Sequence, residues 1–377
     1  MPRCYNAGVL RSWLLAAWAA CAPAGLLTRQ NEPARQSSAE VAARLKVGAD
    51  LLQRGEVDSA IRELKAAIAL DPQFASGHML LGQAYLAQHS VSMIAEAKAE
   101  LQQALDLDPT LLWARFYLAK VYIDLGQNDR AKKELERGLA MRPNVPHFLA
   151  LLGEVNRKLG HPEISLELNR KALEADPQMT PAHYHMALAY MDLNNEDQAI
   201  SALEKSVQSP YVAPDMYLTL GSLYTRQKRY REAEDMGEKA IALDPSRPEG
   251  HVRLAQLYNV QGASDRALAE LKLALPEGKS YPTTAYYQQL HADVFFEQGR
   301  AYQAKRLARP AIQAYLQALA YDPGRGEAHR QLAGLLFGQG DYARARQHAF
   351  AAEKLGASLE PALRQQIQQG ASAPAVP

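Results

Sequence analysis

With 377 residues, 42 basic and 41 acidic side chains and a formal charge of +1, the chain carries no excess of either sign. The two signs are interspersed, so the concentrated basic face of a nucleic-acid binder is not expected. Its two cysteines, Cys4 and Cys21, both lie near the start, which excludes a disulfide framework for the rest.

Arg3 and Arg11 precede or open an apolar stretch, Ser12 to Ala20, which small residues follow. A charged start, an apolar segment of about 7–15 residues and a small-residue exit predict a secretory signal over residues 1–24. The stretch is shorter than the roughly 17–25 residues of a spanning helix, and Pro23 and Gly25 interrupt its extension. Ala19-Ala20-Cys21 resembles the end of a bacterial lipoprotein signal, whose cysteine is lipidated, although Trp18 stands where a leucine-like residue is usual. Cleavage after Ala22-Pro23-Ala24 is the alternative, and either cut removes Cys4. Residues 25–40 read as a polar linker to the first helix.

From residue 41 the chain is periodic. Small residues recur at Ala60, Ala97, Ala131, Ser165, Ala199, Ala233, Ala267, Ala311 and Ala345. Five consecutive steps from Ala97 to Ala267, and the last step, are 34 residues; the others are 37 and 44. A second column, Gly48, Gly82, Ala119, Gly153, Ala187, Gly221, Ala255 and Ala333, runs twelve residues ahead of the first, apart from Gly82 at fifteen. Small residues are required where two helices cross at about 8–10 Å. Tyr85, Tyr122, Tyr190, Tyr224 and Tyr258 lie three after this notch and give each first helix one large anchor. Asp-Pro pairs at 71–72, 108–109, 176–177, 244–245 and 322–323 end helices, because the residue before proline avoids the α region.

These columns, together with Leu254-Ala255, Tyr258, Gly262, Ala267, Leu271 and Ala274 in one repeat, resemble the tetratricopeptide repeat. The resemblance covers residues 41–359 and implies an all-α, right-handed superhelical solenoid of about nine helix–turn–helix repeats. Those repeats fall near 41–74, 75–111, 112–145, 146–179, 180–213, 214–247, 248–281, 282–325 and 326–359. Residues 360–377 are expected to form a C-terminal cap and a disordered tail. Only 40 residues precede the array and 18 follow it, whereas a fused catalytic domain needs on the order of 100.

The period breaks in two places. Three extra residues around His89 to Met93 predict a lengthened turn in repeat two. The array is irregular over 276–310, with three extra residues in the linker 276–283 and seven assigned between Gly299 and Pro310. The linker is expected to divide the array into 41–275 and 284–360. Arg300, Lys305, Arg306 and Arg309 read either as a docking knob for an acidic partner or anionic headgroups, or as a lengthened helix with a solvated basic face.

Catalytic and metal signals are weak throughout. His78, His183, His251 and His329 share one repeat position, four before the notch, but none occurs in adjacent repeats. They are too far apart to share an ion whose nitrogen ligands lie near 2.0–2.1 Å, so structural packing is expected. His183 and His185 point to different sides of one helix. Gly278-Lys279-Ser280 lacks the first glycine of a phosphate loop, since Leu273 occupies that place. No catalytic residue, metal or cofactor is expected, and the chain reads as a non-enzyme.

The resemblance also implies that first helices line a concave face, with repeat positions 2, 5, 9 and 12 pointing into it. In repeat two these include Met79, Gln83 and Leu86, and in repeat three Trp113, Phe116, Lys120 and Ile123. Repeat four offers Glu154 and Arg157, and repeat five Tyr184, Leu188 and Met191, before repeats six and seven turn polar. Trp113 and Phe116 have the character of interface anchors, the methionines that of an adaptable surface. Glu154 and Arg157 are placed to bond a ligand's backbone. The expectation is a protein or peptide held across repeats two to five; the rival is that these side chains pack on neighbouring helices or form an oligomer contact. Co-chaperones of this family grip a C-terminal carboxylate with Lys and Asn at positions 5 and 9, and Met79/Gln83, Phe116/Lys120 and Ala150/Glu154 do not match.

The function expected is therefore a scaffold or adaptor, exported to a periplasm or cell envelope, that assembles an envelope complex. Its alternative is a regulatory or recognition subunit for an enzyme bound in trans. Protein partners are expected, nucleic acid is not, and membrane contact would come through a lipid on Cys21. The sequence leaves the oligomeric state open.

Overall fold

The computed structural model describes residues 32–88, 92–209, 212–276, 281 and 284–370. The expected leader with Cys21, the Gly278-Lys279-Ser280 segment and the tail 371–377 lie outside the described residues. Among the described residues every regular element is a helix. The chain divides between Met216 and Tyr217 into two compact units, each a stack of helical hairpins.

In the first unit α1 (Glu32–Arg54) pairs with α2 (Val57–Leu70), and α3 (Ala75–Ala87) with α4 (Met93–Leu107). Next come α5 (Leu112–Asp124) with α6 (Asn128–Met141), α7 (Pro146–Lys158) with α8 (Pro162–Ala175), and α9 (Thr180–Asp192) with α10 (Glu196–Ser206). The division falls inside α11 (Pro214–Arg226), which α12 (Tyr230–Leu243) follows. The second unit continues with α13 (Glu249–Val260) and α14 (Ser264–Ala274), then α15 (Ala285–Ala304) and α16 (Ala308–Tyr321). It ends with α17 (Gly326–Gly338), α18 (Tyr342–Lys354) and α19 (Pro361–Gly370). These are the nine expected helix pairs and a closing helix.

Size complementarity holds each pair together. A Cβ built on Gly82 would lie 2.6 Å from Leu101 Cγ, and one on Gly48 2.7 Å from the Leu64 side chain. The notch of the first helix thus receives a large side chain from the second. The small column of the second helices is fully buried at Ala60, Ala97, Ala131, Ala199, Ala267, Ala311 and Ala345. Helices α2, α4, α6 and α8 also pack on the first helix of the next repeat, so one core runs from Val41 to Ala182.

The connections follow from backbone chemistry. Apart from α3, first helices end in a left-handed residue, glycine at Gly126 and Gly160 but Asn194, Lys228 and Arg306 in other repeats. The next N–H then reaches back into the helix, as Gln127 N donates to Tyr122 O at 2.7 Å. In all five Asp-Pro pairs the aspartate closes an Asx turn: Asp108 Oδ1 accepts from Thr110 N at 2.8 Å, and Asp71, Asp176, Asp244 and Asp322 do the same two residues on.

Four sequence expectations change. The linker assigned to 25–40 is already helical from Glu32, because Pro33 suits a first helical turn. The seven extra residues do not lie between Gly299 and Pro310. Gly299 is itself the notch, 2.6 Å from the Tyr315 ring by its built Cβ, and the extra length is two turns at the start of α15, which has 20 residues where α17 has 13. The basic cluster is consequently an ordinary helix–turn–helix: Arg300 pairs with Glu297 at 3.1 Å, Lys305 with Asp265, and Arg306 is the left-handed turn residue. The linker 276–283 does not divide the chain either, since α13 and α14 both pack on α15 and Asn259 Nδ2 donates to Glu297 Oε2 at 2.8 Å.

The lengthened turn expected around His89 to Met93 falls largely on residues 89–91, which lie outside the described residues. Helix α19 caps the array by burying Ile367 with Leu359 against Ala333 and Ala352.

Candidate functional site

The expected groove residues all lie in the first unit, on α3, α5, α7 and α9. They separate into two layers. Met79, Gln83, Trp113, Phe116, Ile123 and Glu154 are buried. Leu86, Lys120, Arg157, Tyr184 and Met191 are half-buried and reach solvent.

The buried layer is core. Phe116 is 0% and Trp113 8% exposed, with ring centroids 5.4 Å apart in an edge-to-face arrangement. Across the repeat boundary Trp113 meets His147 at 5.5 Å, and Phe116 meets Phe148 at 5.4 Å. These rings therefore pack on the neighbouring helix, as the rival reading held, and do not stand open as anchors. Glu154 is likewise not placed to bond a ligand: it is 1% exposed, with Lys158 Nζ 3.2 Å from its Oε1 and His185 Nε2 3.7 Å from its Oε2. A carboxylate this deep needs the Lys158 ammonium, since an unpaired buried charge costs several kcal/mol.

Above the core runs a band of charges. Arg157 Nη1 donates to Asp192 Oδ2 at 2.8 Å, tying α7 to α9. Burial pushes the Lys120 ammonium down to about 8, with Asp124 opposing the shift. Burial raises the Asp124 carboxyl against the pull of Lys120 and Lys158. Tyr184, Leu188 and Met191 flank this band on α9 with half-exposed apolar surface. Asp124, Lys158 and Asp192 were not among the residues read from the sequence. Their signal was the i, i+4 spacing to Lys120, Glu154 and Leu188, which makes the first two ion-pair partners on one helix face.

The histidine column is structural. His78 bridges Glu100 (2.6 Å) on its own second helix and the carbonyl of Pro72 (3.1 Å) in the repeat before. Arg115 occupies the same repeat position and makes the same stitch, to Glu134 at 2.8 Å and to Pro109 O at 2.9 Å. His251 repeats the half to Glu270 at 2.7 Å, and His183 the half to Pro177 O at 3.3 Å. Among the described residues no group of three or more His, Cys, Asp or Glu side chains is placed to hold a metal ion. No described helix is long and apolar enough to cross a membrane.

Buried His185 gives the site a pH dependence. Burial holds its imidazole below the ordinary value of 6.5, an effect Glu154 opposes and Arg157 and Lys158 reinforce. His147 and His183 on the same unit are shifted down by burial too. Above pH 6.5 both folded and unfolded chains carry these rings neutral. As pH falls the unfolded chain takes the protons first, so stability is lost from about pH 6.5 downward until the folded rings titrate, at about 1.4 kcal/mol per unit of depression. The thermal midpoint is expected to drop between pH 6.5 and 5, and His185→Gln to flatten that slope in differential scanning calorimetry. An equal slope in the variant would remove His185 from the account.

Family models for the tetratricopeptide repeat match residues 48–88, 92–155, 184–248, 224–294 and 296–359. The chain belongs to the tetratricopeptide repeat family. Anaphase-promoting complex subunit 3 of Schizosaccharomyces pombe is 24% identical over 181 residues, covering 47% of this chain and 26% of that protein, so the chain spans about a quarter of this relative. Among solved structures, the APC/C hetero-tetramer Cut9–Hcn1 superposes with a TM-score of 0.58 at 14% identity over 88% of this chain and 76% of the other. The human IFIT1 dimer with PPP-AAAA gives 0.57 at 18% identity over 84% and 73%. At these identities the likeness is one of fold.

Proposed function

We propose that the chain is a non-enzymatic scaffold or adaptor that holds a polypeptide along the first helices of its first unit. The observation that carries this reading is the half-exposed layer: Lys120 and Arg157 beside Tyr184, Leu188 and Met191, on three consecutive first helices. Apolar surface next to fixed charges suits a peptide, whose side chains and backbone need both. The near-equal numbers of basic and acidic side chains favour a polypeptide over a nucleic acid. Two of the three relatives named above are a subunit of a complex and a chain crystallised in a hetero-tetramer, which supports a role in assembly. The leader Arg3 to Ala24 supports export to a periplasm or cell envelope, with Cys21 as the point of lipid attachment. Assembly of an envelope complex is the task that combines these features.

The test is selection of random dodecapeptides displayed on phage against the full chain and against a Tyr184→Ala/Met191→Ala variant with unchanged circular dichroism. Enriched peptides that bind the wild type and lose at least tenfold in affinity on the variant support the reading. Equal binding to the folded variant, or no enrichment at all, rejects it.

A further inference from the structure

The last repeat holds a pair of histidines unlike the other members of the column. His329 on α17 and His348 on α18 bring their Nδ1 atoms to 2.8 Å, with ring centroids 5.0 Å apart. In the repeats of His78 and His251 the corresponding partner is a glutamate, which offers an imidazole a counter-charge. Here the partner is a second nitrogen base. His329 Nε2 also lies 3.3 Å from Pro323 O, so that nitrogen carries the proton and donates to the carbonyl. The Nδ1 lone pair of His329 is then turned inward. A backbone carbonyl fixing the tautomer in this way is the usual outer support of a metal-binding imidazole.

We propose that His329 and His348 form a two-histidine site for Cu2+ or Ni2+. The spacing selects these ions. Two metal–nitrogen bonds of about 2.0 Å meeting at a right angle place the nitrogens about 2.8 Å apart, whereas a tetrahedral angle needs about 3.3 Å. Right-angled nitrogen pairs belong to the tetragonal coordination of Cu2+ and Ni2+, while zinc prefers the tetrahedron. The rings turn slightly so that both lone pairs meet the ion, and water fills the remaining positions. In the metal-free pair His348 Nδ1 supplies the shared proton; on binding, that proton moves to His348 Nε2, and both rings remain neutral. Burial and the neighbouring His329 and Arg344 hold the His348 imidazole below its ordinary range, Asp341 opposing. The charge of Arg344 is itself countered by Asp341 at 3.6 Å.

Isothermal titration of the untagged full chain with NiCl2 at pH 7.5 tests the site. Wild type is expected to show one equivalent that weakens at least tenfold in His329→Gln and in His348→Gln and stays unchanged in His251→Gln. Identical titrations of wild type and both variants overturn the proposal. Should either variant lose its circular dichroism, electron paramagnetic resonance of wild type with one equivalent of CuCl2 decides. Coupling to two imidazole nitrogens supports the site, and one or none overturns it.

Discussion

Phe116→Ala is expected to lower the free energy of unfolding by about 3–5 kcal/mol, the range for removing a buried phenyl ring. The ring is fully buried and touches Trp113, Tyr117 and Phe148, three rings whose centroids lie 5.4, 5.6 and 5.4 Å from its own. Truncation leaves a cavity between α5 and α7 that these rigid groups fill poorly, and the contact between two repeats is lost with it. Tyr184→Ala on α9 is the control, since that side chain is half-exposed and is expected to cost less than about 1 kcal/mol. Urea denaturation followed by circular dichroism measures both. A loss below about 1 kcal/mol for Phe116→Ala would mean that the ring stands in an open groove after all. The result also governs how binding is tested: a Trp113/Phe116 double variant reports on folding, so capture experiments belong on Tyr184 and Met191.

Burial of Phe116 marks where a one-dimensional reading stops. Positions 2, 5, 9 and 12 do form one stripe of a first helix, and side-chain size at the notch is written directly into the residue columns. What covers the stripe comes from the following repeat, here His147 and Phe148, and that depends on how closely α5 and α7 approach. The same limit hid the stitch between Arg115, Glu134 and Pro109, whose members stand 19 and 6 residues apart in sequence. The misplaced insertion had a legible remedy. Gly299 stands twelve residues before Ala311, the notch spacing, and that alone puts the added turns ahead of it in α15. The pairing of His329 with His348 had none, because a histidine at a second-helix position is silent until the two helices meet.

The notch itself supplies the second large effect. Gly153→Ala adds a single carbon, yet that carbon would sit 2.4 Å from Asn169 Nδ2 and 3.2 Å from the Ser165 carbonyl. Asn169 is fully buried and its Nδ2 donates to Ser165 O at 2.8 Å, so turning it away strands an amide in the core. Overpacking costs about 1–3 kcal/mol and the stranded group about 1–3 more; the variant is expected to lose about 2–6 kcal/mol. Asn169→Ala clears the space and leaves only the 3.2 Å approach to Ser165 O, which a small shift of α8 relieves. In that background the Gly153→Ala cost is expected to fall below about 1 kcal/mol, a coupling of at least about 1 kcal/mol in a double-mutant cycle. Costs that add to within about 0.5 kcal/mol would show that the two helices do not meet at this pair, and the size-matching argument for the whole array would lose its best-defined case.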